Sequence, residues 1–542
     1  MFASLIYKNI NRRIATRLPA LVLAATAVLP ERVAAPLARR PAVRPLLPTP
    51  RQQKTLLLVA LVLAVAVVLV LTFIRKYHAP LDGDIAPIVW PRADYAHILR
   101  DPFGWEALTH QRIYAGPNRF FAHLGMFWYF RHVPLWLQGI IPPIDSLYAT
   151  AALFNVGVQA MLLYVLGWYA SGTRRLGSPR LWLTMALMLP FFQTTGYYSQ
   201  MGIIDNSATY NFFYAFPLLL LLVLLWPLYR AASQGQAVRL TWPKLGAMLL
   251  LSVVLAFNGP IITGTVLVLL AGVGLRWAWQ RRRQPIVGWL RDWPWRLGLL
   301  WGWLGVLCLY SLYIGRYNTE NLVTSMRTLG ERYQLLPAGV LHELTDRIGL
   351  ALLVLGCLAN VQLIRRLLPP SGQGVRILHT LRWVGAFALV YSLLLPLGGY
   401  RPYRPHILNH DSILPITVAL VAFYGLSASY LLLQLRGRAQ RWYGVAALAI
   451  AAIYLNADHR LYPPDNNIQE REALALLAQA GPAPVVRLPK NCTVLSWQPI
   501  TEPLSSVTCA ELLEYWHITQ GRKLYYYQPT AGSSELAREQ AD

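Results

Sequence analysis

Charged side chains are scarce in this sequence: Asp, Glu, Lys and Arg make up 13% of its 542 residues, whereas hydrophobic residues make up 55%. A soluble globular protein of this length needs more polar side chains to cover its surface. The scarcity of charge therefore excludes a soluble enzyme or binding domain over most of the chain. It predicts a polytopic membrane protein, whose apolar surface is covered by lipid.

Motifs of soluble enzymes are also lacking. The sequence contains no P-loop, no HExxH zinc motif, no GxSxG nucleophile elbow and no CxxC pair. Metal ligands at a fixed spacing are missing too, so we predict no metal-binding motif. Acidic groups near the membrane still leave room for a divalent cation, and no other cofactor is indicated.

Acidic residues are few, 24 against 49 Lys and Arg, which gives a net charge of +25. In a soluble chain this excess would indicate nucleic-acid binding. If the N-terminus is cytoplasmic, the inner segments hold 29 of the 49 basic residues and two acidic ones, Glu31 and Asp292, and the outer segments hold the other 20 basic and 22 acidic residues. This asymmetry follows the positive-inside rule. The excess therefore indicates topology, and we expect no nucleic-acid partner.

Long apolar runs recur between Thr55 and Asn456, each about 15 to 25 residues and so long enough to cross a ~30 Å hydrocarbon layer as a helix. The first run, Thr55 to Ile74, contains neither a charge nor a helix breaker. We predict an all-α polytopic protein with about eleven transmembrane helices, the N-terminus inside and the C-terminus outside. The predicted spans are 55–74, 146–170, 181–198, 206–228, 245–257, 261–275, 297–314, 348–364, 383–399, 412–434 and 442–456.

The segment between Lys244 and Arg276 is long for one helix and short for two. Asn258-Gly259-Pro260 at its centre indicates either a tight hairpin or a re-entrant pair. Both alternatives return the chain to the side that it left.

Three regions are predicted along the chain. Residues 1–54 are rich in Arg and Pro and form a cytoplasmic basic tail, partly disordered, on the anionic inner leaflet. Residues 55–456 form the transmembrane domain, with a long first outer loop at 75–145. Residues 457–542 form a small extracytoplasmic segment.

The first outer loop begins with two carboxylates, Asp82 and Asp84, in the stretch LDGDIAP. Further along, Arg119 and His123 alternate with aromatic residues in RFFAHLGMFWYFRH, a pattern that predicts an amphipathic helix at the membrane interface. Such a helix could flank a site that a lipid substrate reaches.

A second candidate is the short outer loop GGYRPYRPHILNHDSI, residues 398–413, where two prolines keep the backbone extended. Guanidinium groups bind phosphate oxygens bidentately and stabilise a departing phosphate. We therefore predict that Arg401, Arg404, His406 and His410 bind a donor phosphate. A carboxylate near a low-dielectric surface can accept a proton from a hydroxyl, which makes Asp82 and Asp84 the candidate bases.

The acidic pair after the first span, the long outer loop with interfacial helices and the C-terminal segment resemble the GT-C superfamily of polyprenyl-phosphate-sugar-dependent glycosyltransferases. The resemblance covers the plan of most of the chain. It implies an inverting sugar transfer in which an Asp of the first outer loop is the catalytic base, and Asp82 and Asp84 match that position. Several members carry adjacent acidic residues where this chain has Asp-Gly-Asp, so either residue could be the base.

Other polar residues near the outer ends of spans are weaker candidates. Asp205, Asn206 and Tyr210 precede or begin a span, where they either line the site or cap the helix. Arg119 in the first loop is a further candidate for the site lining.

Two other functions fit the same pattern. An O-antigen-type polymerase or ligase would depend on Arg401 or Arg404 more than on the acidic pair. A transporter or flippase would place ionisable residues within spans and show internal repeats, and neither is visible here.

Cysteine is rare, with four residues. Cys308 and Cys357 fall within apolar spans, where a thiol packs as a small hydrophobe. Cys492 and Cys509 fall in the segment that the topology places in an oxidising compartment, and we predict a disulfide between them.

The expected partners are a lipid-linked sugar donor and membrane lipids. The preference for Arg over Lys and the lack of a retention signal predict a multi-pass protein of the bacterial inner membrane.

Overall fold

A computed structural model of the chain describes residues 49–193, 201–282, 294–323, 327–345, 348–400, 406–461 and 466–528. Helices make up most of these residues, and strands are confined to one pair of short segments within them. The protein is therefore a mostly helical, polytopic membrane protein. The predicted tail lies outside the described residues up to position 48.

The helices are joined by connections of very different lengths, from two residues between Gln434 and Gly437 to 27 between Gln479 and Val507. In chain order they are α1 (Pro50–Tyr77), α2 (Ile85–Val89), α3 (Ala93–Arg100), α4 (Trp105–His110), α5 (Phe120–Leu137), α6 (Pro143–Ser171), α7 (Pro179–Met188), α8 (Ala208–Ser233), α9 (Trp242–Ala256), α10 (Pro260–Arg281), α11 (Trp295–Gly315), α12 (Thr319–Val323), α13 (Leu329–Thr345), α14 (Ile348–Leu367), α15 (Gly372–Leu394), α16 (Leu414–Gln434), α17 (Gly437–Leu461), α18 (Ile468–Gln479) and α19 (Val507–Tyr515).

Eight of these helices are long and apolar enough to cross a membrane: α1, α6, α8, α10, α11, α14, α15 and α16. Each coincides with one of the predicted spans. Three other predicted spans fall on helices outside this group, namely α7, α9 and α17. The count of eleven and the orientation therefore stay predictions.

The turn at Asn258-Gly259 separates two helices, α9 and α10, as both the hairpin and the re-entrant interpretations required. Gly259 has φ +115°, which side chains disfavour, and Pro260 begins α10, where its missing N–H costs nothing. With 15 residues α9 is about 22 Å long, shorter than the hydrocarbon layer. The two helices therefore differ in length, because α10 is long enough to cross a membrane and α9 is not.

The bundle is built around α6 and α16, the most deeply buried of the eight membrane helices. Its core contains fully buried aromatic side chains such as Phe191, Phe192 and Phe423. By contrast, few side chains of α1 and α15 are buried, 17% and 11% of their apolar windows. Exposed Leu and Val on a membrane helix suit contact with lipid chains.

A second core joins the first loop to the C-terminal segment. In that segment β1 (Val485–Leu488) pairs in parallel with β2 (Leu524–Tyr527). Ile85 and Val89 of α2 and Phe130 of α5 pack in one cluster with Leu512 and Trp516. The C-terminal segment therefore lies directly against the loop that carries the acidic pair.

The interfacial helix predicted in the first loop is α5. Ala122, Met126 and Phe130 on one face are buried, whereas Trp128 and Trp136 on the other are exposed. Its buried face packs in the second core, whereas its exposed face is itself apolar, so the amphipathic interfacial position stays a prediction.

The predicted disulfide is wrong in this structure, because Cys492 and Cys509 are both free. The Cys509 thiol is buried in α19 and donates a hydrogen bond to the Leu495 carbonyl at 3.4 Å. Burial also raises its pKa to about 11, which disfavours the thiolate that disulfide formation needs. Cys308 and Cys357 are buried in their helices, as predicted.

Candidate functional site

The two carboxylates after α1 lie in different surroundings. Asp82 is 7% exposed and accepts hydrogen bonds from Ser207 Oγ (2.9 Å), Thr209 Oγ1 (2.6 Å) and Thr209 N (3.3 Å). Ser207 is the N-cap residue of α8, and Thr209 lies in its first turn. Asp82 thus caps the positive end of α8 from another loop.

Asp84 instead lines a cavity. Its Oδ1 accepts a hydrogen bond from the indole Nε1 of Trp497 at 3.1 Å. It stands at the N-cap position of α2, but its side chain makes no capping hydrogen bond there. Its carboxylate is therefore directed to the cavity and not to the helix that follows it.

The pKa values of both carboxyls are raised. Burial raises the pKa of Asp82 to about 6, although hydrogen bonds from Thr209 and Ser207 oppose the rise and the Asp84 charge adds to it. Burial also raises the pKa of Asp84, against the Trp497 hydrogen bond and the charge of Arg119. A raised pKa makes a carboxylate a stronger base near neutral pH.

The cavity has a volume of about 1250 Å³ and two chemically different parts. The polar part lies between the first loop, the α11–α13 connection and the C-terminal segment. Its charged and aromatic lining consists of Asp84, Arg92, Tyr95, Arg119, His123, Tyr210, Phe213, Tyr214, Arg316, Glu320, Arg332 and Trp497.

Cations outnumber carboxylates in this lining, with four arginines against Asp84 and Glu320. Arg119 Nη2 lies 3.8 Å from Glu320 Oε2, and its guanidinium lies 5.8 Å from the centre of the Phe213 ring. His123 is neutral, because burial lowers its pKa to about 4. The polar part is therefore suited to an anion.

The apolar part opens between membrane helices. It is lined by Leu267 and Val268 of α10, by Leu312 of α11 and by Tyr391 and Leu394 of α15. Val268 is eight residues beyond Pro260, or about 12 Å along the helix axis. The cavity therefore extends from the charged loops into the membrane-spanning part of the protein.

The loop predicted to bind phosphate is described in part, since Arg401 and Arg404 lie outside the described residues. Ile407 and Ser412 line the cavity. His406 lies against His342, with ring centres 4.6 Å apart, and is not on the cavity lining. The loop therefore contributes Ile407 and Ser412 to the cavity lining, and His406 does not take part in it.

His410 connects this loop to the acidic pair through a chain of hydrogen bonds. Its Nε2 lies 3.2 Å from Asp205 Oδ2, Asp205 Oδ1 accepts from Ser207 N at 2.8 Å, and Ser207 Oγ donates to Asp82. Gly202 allows the close approach, because a Cβ there would lie 2.1 Å from His410 Cδ2. The two predicted loops thus meet through His410, which is not among the residues that line the cavity.

Asp205, His410 and Asp411 have ligand atoms within 4.8 Å of one another, a spacing that could hold a metal ion. Burial opposes the charged imidazole, but hydrogen bonds to Asp205 and Asp411 and their charges raise the pKa of His410 to about 9. An imidazolium has no lone pair for a metal. In the protonated state the cluster is a buried ion-pair group, and a metal ion would have to displace the imidazole proton of His410 to bind there.

The other predicted lining residues divide between two roles. Tyr210 and Arg119 line the cavity. Asn206 Oδ1 accepts a hydrogen bond from Lys76 Nζ at 2.8 Å, and Asp205 stabilises the turn before α8. Asp205 and Asn206 thus hold the loop, while Ser207 caps the helix.

Sequence reasoning missed Trp497, Glu320 and Arg332. Trp497 is separated from Asp84 by 413 positions, so no local pattern links the two. Glu320 and Arg332 lie in the connection between α11 and α14, whose length and polar residues were the available signal.

No protein-family model matches this sequence, and no curated protein matches it.

Proposed function

We propose that the protein is a membrane glycosyltransferase resembling the GT-C superfamily, which transfers a sugar from a polyprenyl-phosphate donor to a hydroxyl acceptor on the extracytoplasmic side. The observation that supports this function is the two-part cavity. Its polar part, lined by Asp84 and four arginines, opens into an apolar slot between α10, α11 and α15. A lipid-linked sugar phosphate has the same division between an apolar chain and an anionic sugar-bearing head.

The apolar slot suits the first units of a polyprenyl chain. Leu267, Val268 and Leu312 offer aliphatic surface at the depth where the chain leaves its phosphate. Each buried CH₂ group contributes about 0.8 kcal/mol of transfer free energy. A few isoprene units therefore suffice to hold the donor at the site, whatever the identity of its sugar.

The arginines suit the phosphate. Arg119 is partly buried, and the same cavity is lined by Arg316, which follows α11, and by Arg332 of α13. Guanidinium groups form charge-assisted hydrogen bonds to phosphate oxygens. They would stabilise the negative charge that grows on the phosphate as the bond to the sugar breaks.

Asp84 is the base in this proposal. Its carboxylate takes the proton of the acceptor hydroxyl while the hydroxyl oxygen attacks the anomeric carbon of the donor sugar. The bond between that carbon and the phosphate oxygen breaks, and polyprenyl phosphate leaves with the electron pair. Attack opposite to the leaving group inverts the anomeric configuration. Asp82 keeps the turn in place and does not contact the substrate.

The experiment uses the purified full chain in proteoliposomes. A panel of polyprenyl-phosphate hexoses and pentoses, ¹⁴C-labelled in the sugar, is supplied with an extract of envelope glycans and lipids. The expected result is label transfer that Asp84→Asn abolishes and that Glu502→Gln, which removes an exposed carboxylate, leaves unchanged.

Two results would reject the proposal. Transfer that survives in the Asp82→Asn, Asp84→Asn double variant would show that neither carboxylate is the base. Loss of activity on lipid-diphosphate glycans in Arg401→Ala or Arg404→Ala, with Asp84→Asn active, would instead favour a polymerase or ligase.

A further inference from the structure

Trp497 is brought to the acidic turn by the C-terminal segment. Its indole N–H donates to Asp84, and its ring lines the cavity with 50% of its surface exposed. The ring is nearly parallel to that of Tyr210, at 27° and 5.9 Å between ring centres. Two aromatic rings therefore border the polar part of the cavity next to the proposed base.

The backbone around Trp497 is held firmly although the ring is exposed. Val494 and Leu495 are buried in the second core together with Ile85. Leu495 has φ +50°, a left-handed conformation that leucine rarely adopts. The surrounding packing maintains this conformation, which turns the following residues toward the acidic turn.

Gly83 makes the contact possible. A Cβ at this position would lie 2.4 Å from the Trp497 backbone N and 2.7 Å from its Cδ1. The C-terminal segment therefore lies closer to the Asp82-Gly83-Asp84 turn than any side chain at 83 would allow. Trp497 is therefore held in the cavity wall by close packing of its backbone against Gly83.

Such a surface suits a sugar ring. One face of a pyranose consists of C–H groups that pack on an aromatic ring, and its rim carries hydroxyls that need polar partners. Here Asp84, Arg119 and Glu320 stand around the same part of the cavity as Trp497. The hydroxyls of a stacked sugar would find acceptors and donors on these side chains.

We propose that Trp497 is the stacking surface for the pyranose ring of the acceptor and also positions the Asp84 carboxylate, so that the C-terminal segment completes the site. This inference rests on the transferase function proposed above, and it names the substrate class as a pyranoside acceptor. Trp497 thereby places a sugar hydroxyl beside the base.

The test measures sugar binding separately from transfer. Saturation-transfer-difference NMR is recorded on the full chain in nanodiscs with methyl glycosides of glucose, galactose and mannose. Trp497→Leu removes the ring, Trp497→Phe keeps a ring and removes the N–H donor, and Trp105→Leu removes a tryptophan that is 63% exposed and lies outside the cavity lining. Thermal melting shows whether each variant is folded.

The expected result is that at least one methyl glycoside binds, with the strongest transfer to protons of one ring face. Trp497→Leu lowers its affinity about tenfold, as loss of an aromatic stacking contact should, whereas Trp105→Leu does not. Trp497→Phe retains most of the binding. It moves the acidic limb of the transfer rate to higher pH, because the lost hydrogen bond had favoured the carboxylate of Asp84.

Equal binding by wild type and a folded Trp497→Leu variant would overturn the stacking role, even if transfer depends on Asp84. An unmoved acidic limb in Trp497→Phe would overturn the positioning role. Glycoside binding that depends on Trp497, in a protein that transfers sugar from no donor, would support the stacking surface and reject the transferase. If Trp497→Leu does not fold, Trp497→Met, which keeps the side-chain bulk and removes the ring, decides the stacking role by the same binding measurement, and Trp497→Phe decides the positioning role.

Discussion

The indole N–H of Trp497 donates to a carboxylate oxygen of Asp84 at 3.1 Å, while the neighbouring Asp82 is satisfied by Ser207 and Thr209. The two acids of one turn are thereby divided. Asp84 lines the cavity beside the C-terminal segment, and Asp82 is buried at the start of α8. This division gives different expectations for their replacement.

Asp84→Asn should lower kcat for sugar transfer about a hundredfold to ten-thousandfold, the range typical of a lost general base. Melting temperature should change little, because Asp84 makes no helix-capping hydrogen bond. Because burial raises the pKa of Asp84, the wild-type transfer rate should fall as the pH decreases. The midpoint of this fall should lie above the ordinary pKa of aspartate. Rate measurements against pH check this, and a full rate in Asp84→Asn would contradict it.

Asp82→Asn should act mainly on stability. The carboxylate of Asp82 accepts from Ser207 with one oxygen and from the Thr209 hydroxyl with the other, whereas the amide of asparagine has a single acceptor oxygen. Loss of a helix cap costs about 0.5–2 kcal/mol. Ser207→Ala removes one of the same hydrogen bonds. The double variant should therefore lose less than the sum of the single losses, by about 1 kcal/mol. Strictly additive losses would show that the two side chains are not coupled.

Arg119→Ala should raise KM for the lipid-linked donor about tenfold to a hundredfold, because a charge-assisted hydrogen bond contributes about 1.5–3 kcal/mol. Arg119→Lys should recover part of this, since lysine keeps the charge and loses the bidentate geometry. Arg112, exposed and paired with Glu106 at 2.7 Å, is the matched control. A similar KM in Arg112→Ala and Arg119→Ala would mean that general surface charge is responsible.

Gly83→Ala should separate the C-terminal segment from the acidic turn, since the new Cβ would lie 2.4 Å from the Trp497 backbone N. Overpacking of this kind costs about 1–3 kcal/mol. Hydrogen exchange over residues 494–497 should rise, and transfer should fall. Gly177→Ala, where a Cβ would meet no atom within 4 Å, should show neither effect. Unchanged exchange in Gly83→Ala would reject the close contact.

Glu470 should make stability depend on pH. It is buried in α18 and accepts from Leu81 N at 3.0 Å and Tyr148 OH at 2.9 Å, and burial raises its pKa to about 7. The folded state therefore holds this proton more tightly than the unfolded state. The stability it contributes is fully present below the ordinary glutamate pKa and is lost as pH rises through about 7.

Glu470→Gln keeps an acceptor for Leu81 and removes the titration, so its melting temperature should vary less between pH 5 and about 8 than that of wild type. Glu472→Gln, on the same helix and in an exposed pair with Lys490, should follow the wild-type curve. Parallel curves for all three proteins would show that Glu470 does not titrate in this range.

Much of the membrane architecture follows from local sequence. The apolar runs predicted the helices because backbone groups in lipid must be satisfied within one segment, and a helix does this without any partner. Asn258-Gly259-Pro260 predicted the turn between α9 and α10 for a similar reason, since a positive φ and a proline act on the residues that carry them. The short helices α7 and α9 show where apolar composition overstates length, whereas α17 has 25 residues and yet lies outside the group of eight.

The arrangement of the candidate site depends on tertiary contacts between distant segments. The sequence by itself determined that Asp82 and Asp84 follow the first span and that Gly83 separates them, because these are properties of neighbouring residues. Tertiary structure alone decided which carboxylate is buried by Ser207 and Thr209 and which meets Trp497, since these contacts join segments 125 to 413 positions apart. Gly83 is the place where the C-terminal backbone approaches the turn, a contact that no neighbouring residue indicates. Hydrogen bonds and close contacts between distant segments are set by packing, and no local pattern in the chain encodes them.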